Sequence, residues 1–162
     1  MSEFSQKWAL VHMIDKKPEG FTFGATEWPL HITIASLFST AWSSRETIDH
    51  LGTLLEGQRP VNTSALRHDN WGTEKNVAVT VMDTTPQLRQ LHTDIVTFLQ
   101  ESGATFYEKF LFEKYDAHST VQQHDKLEVG TDIVIDSVTL IDMFPDNNGY
   151  KRRLLGTIDF RT

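Results

Sequence analysis

The apolar residues of this chain follow the two-residue period of a β-strand in most segments and the helical period in only two. Those two segments carry the stripes Ile48, Leu51, Leu55 and Leu88, Leu91, Ile95, Leu99. The other apolar segments are short and are separated by turn residues, as in antiparallel β-structure. Because helices do not alternate with the strands, a doubly wound parallel sheet is excluded, and we expect an α+β fold.

Helix-capping residues and turn residues set the predicted boundaries. One helix begins at Ser43 or Ser44 and runs to about Leu55, and a second begins at Thr84 or Thr85, with Pro86 at its first position, and ends near Gly103. We predict strands at residues 8–14, 30–37, 61–68, 76–82, 117–121, 131–143 and 150–160. Residues 15–27 are predicted as a loop, 69–74 as a turn, and 106–115 are ambiguous between strand and loop.

The length and composition limit the class of protein. A chain of 162 residues with 39% hydrophobic content suits a single domain, residues 1–162, or two lobes that share a core. It contains no cysteine, which excludes disulfides and thiolate metal sites. No apolar run approaches the roughly 20 residues that span a bilayer, and the polar start of the chain does not resemble a signal peptide. We therefore expect a cytoplasmic monomer with no membrane association.

The net charge of -7 bears on the partner. Affinity for long nucleic acids comes mainly from lysine and arginine side chains that neutralise phosphates, so an acidic chain is a poor candidate for binding long duplexes. A small nucleotide or an RNA end is the favoured partner.

Two segments repeat one pattern of residues, an apolar or small residue, then His, any residue, Thr and a β-branched residue. These segments are Leu30-His31-Ile32-Thr33-Ile34 and Ala117-His118-Ser119-Thr120-Val121. Alternate side chains of a strand share a face, so each histidine is predicted to point the same way as its threonine, opposite the apolar residues. The spacing alone is weak evidence, but both copies lie on predicted strands with the same flanking polarity.

The chemistry of phosphate esters gives such a pair a purpose. Hydrolysis of a cyclic phosphodiester needs a base that activates water and an acid that protonates the departing oxygen, and histidine can serve as either near neutral pH. We predict His31 and His118 as the catalytic residues, and Thr33 and Thr120 as donors to the phosphate oxygens. The alternative for any single histidine is a structural role, and for the pair together a coincidence of two motifs.

Other polar and aromatic residues are weaker candidates. Tyr115 is the best candidate for stacking on a base, while Lys109 and Lys114 could add positive charge or could simply be solvated. His124 could reach the substrate, although a solvated loop is the simpler interpretation. The remaining histidines are expected to be structural or exposed: His12, His50, His68 and His92. No spacing suits a metal site, so neither a metal nor another cofactor is predicted.

The two motifs and the order of elements resemble the two-histidine phosphoesterase superfamily, which includes bacterial RNA 2′,5′-ligase and 2′,3′-cyclic phosphodiesterases. Residues 29–34 resemble its first motif, and residues 135–141 with 150–160 resemble its closing hairpin. The resemblance implies two antiparallel sheets, related by a pseudo-two-fold axis around a central cleft that both motifs face. The chain departs from many members in having Ala117 where they have proline, and in lacking a basic residue soon after Thr120.

Two functions remain open at this stage. The first is a metal-independent phosphoesterase that hydrolyses a cyclic phosphodiester of a nucleotide or RNA end, of the 2′,3′-cyclic phosphate type. The second is a non-catalytic module that binds a nucleotide in the same cleft.

Overall fold

The computed structural model describes residues 6–107, 109–122 and 125–160. Its strands are β1 (Trp8–Met13), β2 (Thr22–Gly24), β3 (His31–Ser39), β4 (Val61–Trp71), β5 (Val77–Met82), β6 (Thr105–Phe106), β7 (His118–Thr120), β8 (Asp132–Ile135), β9 (Ser137–Asp142) and β10 (Lys151–Asp159). Its helices are α1 (Ser44–Leu54) and α2 (Pro86–Glu101), with short 3-10 turns at Phe112–Lys114 and Pro145–Asn147.

The strands form two antiparallel sheets. The larger has the order β2-β10-β9-β1-β3-β6, and the smaller has the order β7-β5-β4-β8. The first histidine motif lies on β3 of the larger sheet, and the second lies on β7, an edge strand of the smaller sheet. These two strands approach each other where the sheets meet. The predicted α+β fold with two antiparallel sheets, each carrying one motif, is confirmed.

Both helices begin as their capping residues predict. Ser43 accepts a hydrogen bond from the Glu46 amide, and the Glu46 side chain accepts one from the Ser43 amide, which completes a capping box. Thr85 accepts a bond from the Leu88 amide, and Pro86 occupies the first turn, where no amide hydrogen is needed. Neither helix in the described part of the chain is long and apolar enough to cross a membrane.

One apolar core lies beneath both sheets. It contains Leu10 and Ile32 of the larger sheet, Met82 of the smaller sheet, and Leu51 and Leu91 from the two helices, all fully or almost fully buried. A second, smaller cluster on the other face of the larger sheet includes Val11 and Leu154. The helices therefore cover one face of the larger sheet and leave the face that carries His31 and Thr33 available for a cleft.

Two predictions about the strands were wrong. The segment 131–143 is two strands and not one, because the chain leaves the smaller sheet after Ile135 and enters the larger sheet at Ser137. The predicted loop 15–27 contains β2, whose residues pair with Arg152 and its neighbours on β10. The ambiguous segment 106–115 forms the end of β6 and the 3-10 turn at residues 112–114.

Candidate functional site

The two motif histidines occupy equivalent positions, each as the first residue of its strand. On β3, Ile32 and Ile34 enter the core, so His31 and Thr33 face the other way. On β7, Ser119 is buried between the half-buried His118 and Thr120. β7 ends at Thr120, so the alternation of strand faces does not extend to Val121, which lines the same cavity as Thr120.

The same backbone contact fixes each imidazole ring. Nδ1 of His31 lies 3.0 Å from the Pro29 carbonyl, and Nδ1 of His118 lies 3.0 Å from the Asp116 carbonyl. A carbonyl oxygen can only accept, so Nδ1 carries the hydrogen in both rings. In the neutral form Nε2 is then the proton acceptor, and in the charged form it is a donor.

A tryptophan packs against each of these rings. The ring centroids of Trp28 and His31 are 4.3 Å apart at an interplanar angle of 31°, and those of Trp71 and His118 are 4.6 Å apart at 59°. Trp28 packs in turn on Phe23, and the Trp71 indole nitrogen donates to a carboxylate oxygen of Asp69. Both tryptophans restrict the rotation of the histidine beside them. Neither contact was predicted from the sequence.

Two adjoining cavities contain the motif side chains. The smaller, of about 400 Å³, is lined by His31 and Thr120 among others, and the larger, of about 740 Å³, is lined by His118. Thr33 and Ser36 line both. The structure therefore brings all four predicted motif residues to two cavities that share Thr33 and Ser36, and each histidine shares a cavity with the threonine of the other motif.

The charge state of His31 is set mainly by burial. Desolvation of the buried imidazole is partly offset by the hydrogen bond to the Pro29 carbonyl and is reinforced by the nearby His118, and together these effects lower the pKa of His31 to about 4. His31 is therefore neutral near pH 7.

Tyr115 lines the larger cavity, but it is almost fully buried there. Its ring is buried and stacks on His92, with centroids 4.1 Å apart and an interplanar angle of 10°. Its hydroxyl donates to the Thr33 carbonyl at 2.7 Å. Because His92 covers one face of the ring and the residue is only 7% exposed, this position does not support stacking on a base. It indicates instead that Tyr115 supports the strand that carries the first motif.

The amide of Ala117 explains one departure from the family pattern. It donates a hydrogen bond of 2.9 Å to the Thr84 hydroxyl, next to the start of α2. Proline has no amide hydrogen and could not make this bond. In this chain, the bond fixes the backbone just before His118 in place of a rigid proline ring.

The other candidates lie as follows. Lys114 lines the larger cavity, whereas Lys109 lies over the Phe110 ring, and His124 falls outside the described residues. Of the remaining histidines, His12, His68 and His92 form hydrogen bonds with backbone carbonyls. His50 stacks on Trp42. Among the described residues, no three His, Asp or Glu side chains are grouped so that they could hold a metal ion.

Comparison with known proteins places this cleft in a family. The model of the 2′-5′ RNA ligase superfamily matches residues 5–143. A search of curated proteins finds no match. A crystal structure of a phosphoesterase has a TM-score of 0.65 and 14% identity, covering 98% of this chain and 100% of the other.

Two further solved structures share the fold. Escherichia coli LigT in complex with 3′-AMP has a TM-score of 0.66 and 14% identity, covering 97% of this chain and 99% of LigT. A protein of Thermus thermophilus has a TM-score of 0.62 and 12% identity, covering 96% of this chain and 98% of the other. LigT has also been solved with NADP+ and with ATP. At these identities the likeness shows the fold alone.

Proposed function

Because this chain belongs to the 2′-5′ RNA ligase superfamily, we propose that it is a phosphoesterase that hydrolyses a 2′,3′-cyclic phosphate of a nucleotide or RNA end. In the proposed reaction, water attacks phosphorus and one of the two bonds between phosphorus and a ribose oxygen breaks. One histidine accepts a proton from the water, and the other donates a proton to the departing ribose oxygen. The product is a ribose phosphate monoester, and the two histidines have exchanged protonation states.

The observation that carries the proposal is the matched orientation of the two rings. Both Nδ1 atoms are held by backbone carbonyls, which leaves both Nε2 atoms to exchange protons with a bound substrate. A cleft in which one of two such rings is neutral and the other can be charged suits a reaction that needs one acid and one base. A module that only binds nucleotides has no need for two rings with this orientation.

The threonines supply the second part of the proposed site. Thr33 and Thr120 lie two residues after the histidines on half-buried strand positions, so their hydroxyls can donate to the non-bridging phosphate oxygens. Such neutral donors stabilise the charge that develops on the phosphate in the transition state. With two histidines and two threonines, the proposed mechanism needs no metal.

A non-catalytic nucleotide-binding module is the second candidate. LigT has been solved with 3′-AMP, so a protein of this fold can hold a nucleoside monophosphate, which favours this second candidate. The same ligand is also the expected product of cyclic phosphate hydrolysis, so turnover decides between the two candidates.

The test is turnover of the four nucleoside 2′,3′-cyclic monophosphates and of a short RNA with a 2′,3′-cyclic end. His31→Ala and His118→Ala should each lower kcat by about 10²- to 10⁴-fold, as expected for the loss of a general acid or base. His50→Ala is the matched control, because His50 is exposed and stacks on Trp42 outside the cleft. If the folded His31 and His118 variants turn over at the wild-type rate, the assignment is wrong. If 3′-AMP binds but no cyclic substrate is consumed, the binding module is correct.

A further inference from the structure

We propose that the larger cavity binds a second phosphate group of the substrate through Lys75 and Lys114. The preferred substrate is then a nucleotide that carries another phosphate besides the one between His31 and His118. This inference rests on the proposed function for the position of the first phosphate. It concerns a different part of the cleft, which the reaction itself does not use.

The cavity is larger than the reacting group requires. A volume of about 740 Å³ lies within the range of about 300 to 1,000 Å³ that holds a whole small-molecule ligand. One wall is the end of the β4–β5 hairpin, with Asn70, Trp71 and Lys75, and another is the segment of Phe110 and Lys114. His118 lines the same cavity. A nucleotide whose reacting phosphate lies at His118 therefore has space for its nucleoside here.

The two lysines give this cavity a positive charge that the chain as a whole lacks. The net charge of the chain is -7, yet the charged side chains that line the cavity are Lys75, Lys114 and Asp116. Within the described residues, the ion pairs involve Lys16, Lys17 and Arg153, and neither cavity lysine belongs to one. Asp69, outside the lining, also attracts Lys75, but within the lining two ammonium groups against one carboxylate favour an anionic ligand.

The backbone at Lys75 adds a second observation. Its φ is 54°, in the left-handed region that suits glycine better than lysine, and its amide donates to the Gly72 carbonyl at 3.0 Å. The hairpin turn itself does not require a lysine at this position. The side chain of Lys75 lines the cavity.

The neighbouring aromatic residue suits the nucleoside. Phe110 is 54% exposed and lines the same cavity; Lys109 lies over one face of its ring, and a nucleobase is proposed to pack against the other face. The ribose 5′ oxygen of such a nucleotide would then carry the second phosphate toward the lysines. That phosphate could be a terminal 5′-phosphate or the next phosphodiester of an RNA strand, since both present anionic oxygens.

The test measures binding and does not depend on turnover. Titration calorimetry gives the Kd of adenosine 3′-phosphate, of adenosine 3′,5′-bisphosphate and of a diadenosine that ends in a 3′-phosphate. An exposed lysine–anion pair strengthens binding by about 1.4- to 5-fold, so two should favour the bisphosphate by about 2- to 30-fold. If the diadenosine shows the same gain, the second phosphate is that of an RNA strand, and if it does not, it is a terminal phosphate.

The variants distinguish this inference from the proposed function. Lys75→Gln with Lys114→Gln should bring the affinity ratio of bisphosphate to monophosphate to about one. Lys151→Gln, on β10 outside the cavity, should keep the wild-type ratio. A wild-type ratio of one, with normal binding of adenosine 3′-phosphate, would overturn the lysine subsite and leave the proposed function intact. An affinity ratio of about 2 to 30 without turnover of any cyclic phosphate would support the lysine subsite and overturn the proposed enzymatic function. If neither binding nor turnover is observed, the subsite and the proposed function are both overturned.

Discussion

Replacement of Tyr115 by phenylalanine removes a single buried contact between the segment before β7 and β3. The hydroxyl donates to the Thr33 carbonyl at 2.7 Å, and the residue is 7% exposed. The ring would keep its stacking on His92, so the variant removes the hydrogen bond and little else. Burial raises the pKa of the Tyr115 phenol, so this donor stays protonated at alkaline pH.

The expected loss of stability follows from the burial of that bond. A typical internal hydrogen bond contributes about 0.5–1.5 kcal/mol net, and a buried carbonyl left without a partner costs about 1–3 kcal/mol. We expect Tyr115→Phe to lower the free energy of unfolding by about 1–2 kcal/mol. Urea unfolding followed by circular dichroism measures this, and with an m-value of about 2 kcal/mol/M the midpoint should fall by about 0.5–1 M.

Tyr150→Phe is the matched control for this prediction. Tyr150 is 86% exposed, so loss of its hydroxyl should change the free energy of unfolding by less than about 0.5 kcal/mol. The Tyr115 variant should also lower kcat, because the bond it loses supports the strand with His31 and Thr33. If Tyr115→Phe is as stable as the control, the hydroxyl does not hold β3 in solution and the supporting role is refuted.

Four further predictions follow from the structure. The pKa of His31 is about 4 in the folded protein and 6.5 in the unfolded chain, so the unfolded state binds more protons between these two pH values. The free energy of unfolding should therefore fall by about 3 kcal/mol as the pH drops from above 6.5 to 4. Urea titrations at each pH should show that His31→Gln lacks this pH-dependent loss. Gly156→Ala should cost about 0.5–1.5 kcal/mol in thermal unfolding, because its Cβ would lie 2.5 Å from the terminal methyl of Ile48, which must turn away from its present rotamer. Gly52→Ala, in α1 with nothing within 4 Å, should stabilise by about 0.5–1 kcal/mol, and equal effects of the two changes would contradict the packing. Trp71→Phe should keep most of the turnover and Trp71→Ala should lose about tenfold or more, because an aromatic ring is needed beside His118; equal rates would show that the ring does not position it. Turnover should survive EDTA, and loss on chelation that Zn²⁺ or Mn²⁺ restores would contradict a mechanism by histidine alone.

The sequence predicts the motif placement because strand alternation is a local property. His31 and His118 could be assigned to one face each from their own five-residue segments, and their common pattern suggested that they meet. That each histidine acts in catalysis stays a prediction. The orientation of the rings was not predictable, because it depends on carbonyls whose direction is set by the turns before each strand.

The tryptophans show why the rest of the site could not be predicted. Trp28 lies three residues before His31, but Trp71 and His118 lie on β4 and β7, which the order of the smaller sheet places on either side of β5. Contacts of this kind depend on strand order, which the sequence does not state. A search for aromatic residues near turns would have identified Trp71, at the end of a predicted hairpin, as a candidate without naming its partner.

The break between β8 and β9 within residues 131–143 could have been predicted from a change in which alternate residues are apolar. In the main core, apolar residues fall on odd numbers at the half-buried Ile133 and at Ile135, and on even numbers at Val138 and Leu140, whereas Ile141 packs in the second cluster on the other face. A shift by one residue moves side chains to the opposite face of a strand, so a single continuous strand cannot bury both sets on one side. The change of phase at residues 136 and 137 marks the point where the chain passes between sheets.

That passage has a consequence for how the molecule unfolds. Asp136 alone joins β8 of one sheet to β9 of the other, and its carbonyl accepts a hydrogen bond of 2.8 Å from the Phe160 amide near the end of the chain. One residue is too short to act as a tether between independently stable halves, and both sheets contribute to the same core. We expect amide protons in the centres of β5 and β9 to exchange with solvent through the same global opening, with similar protection. The geometry of the cleft would then persist until the whole molecule unfolds, because neither sheet can open while the other stays folded.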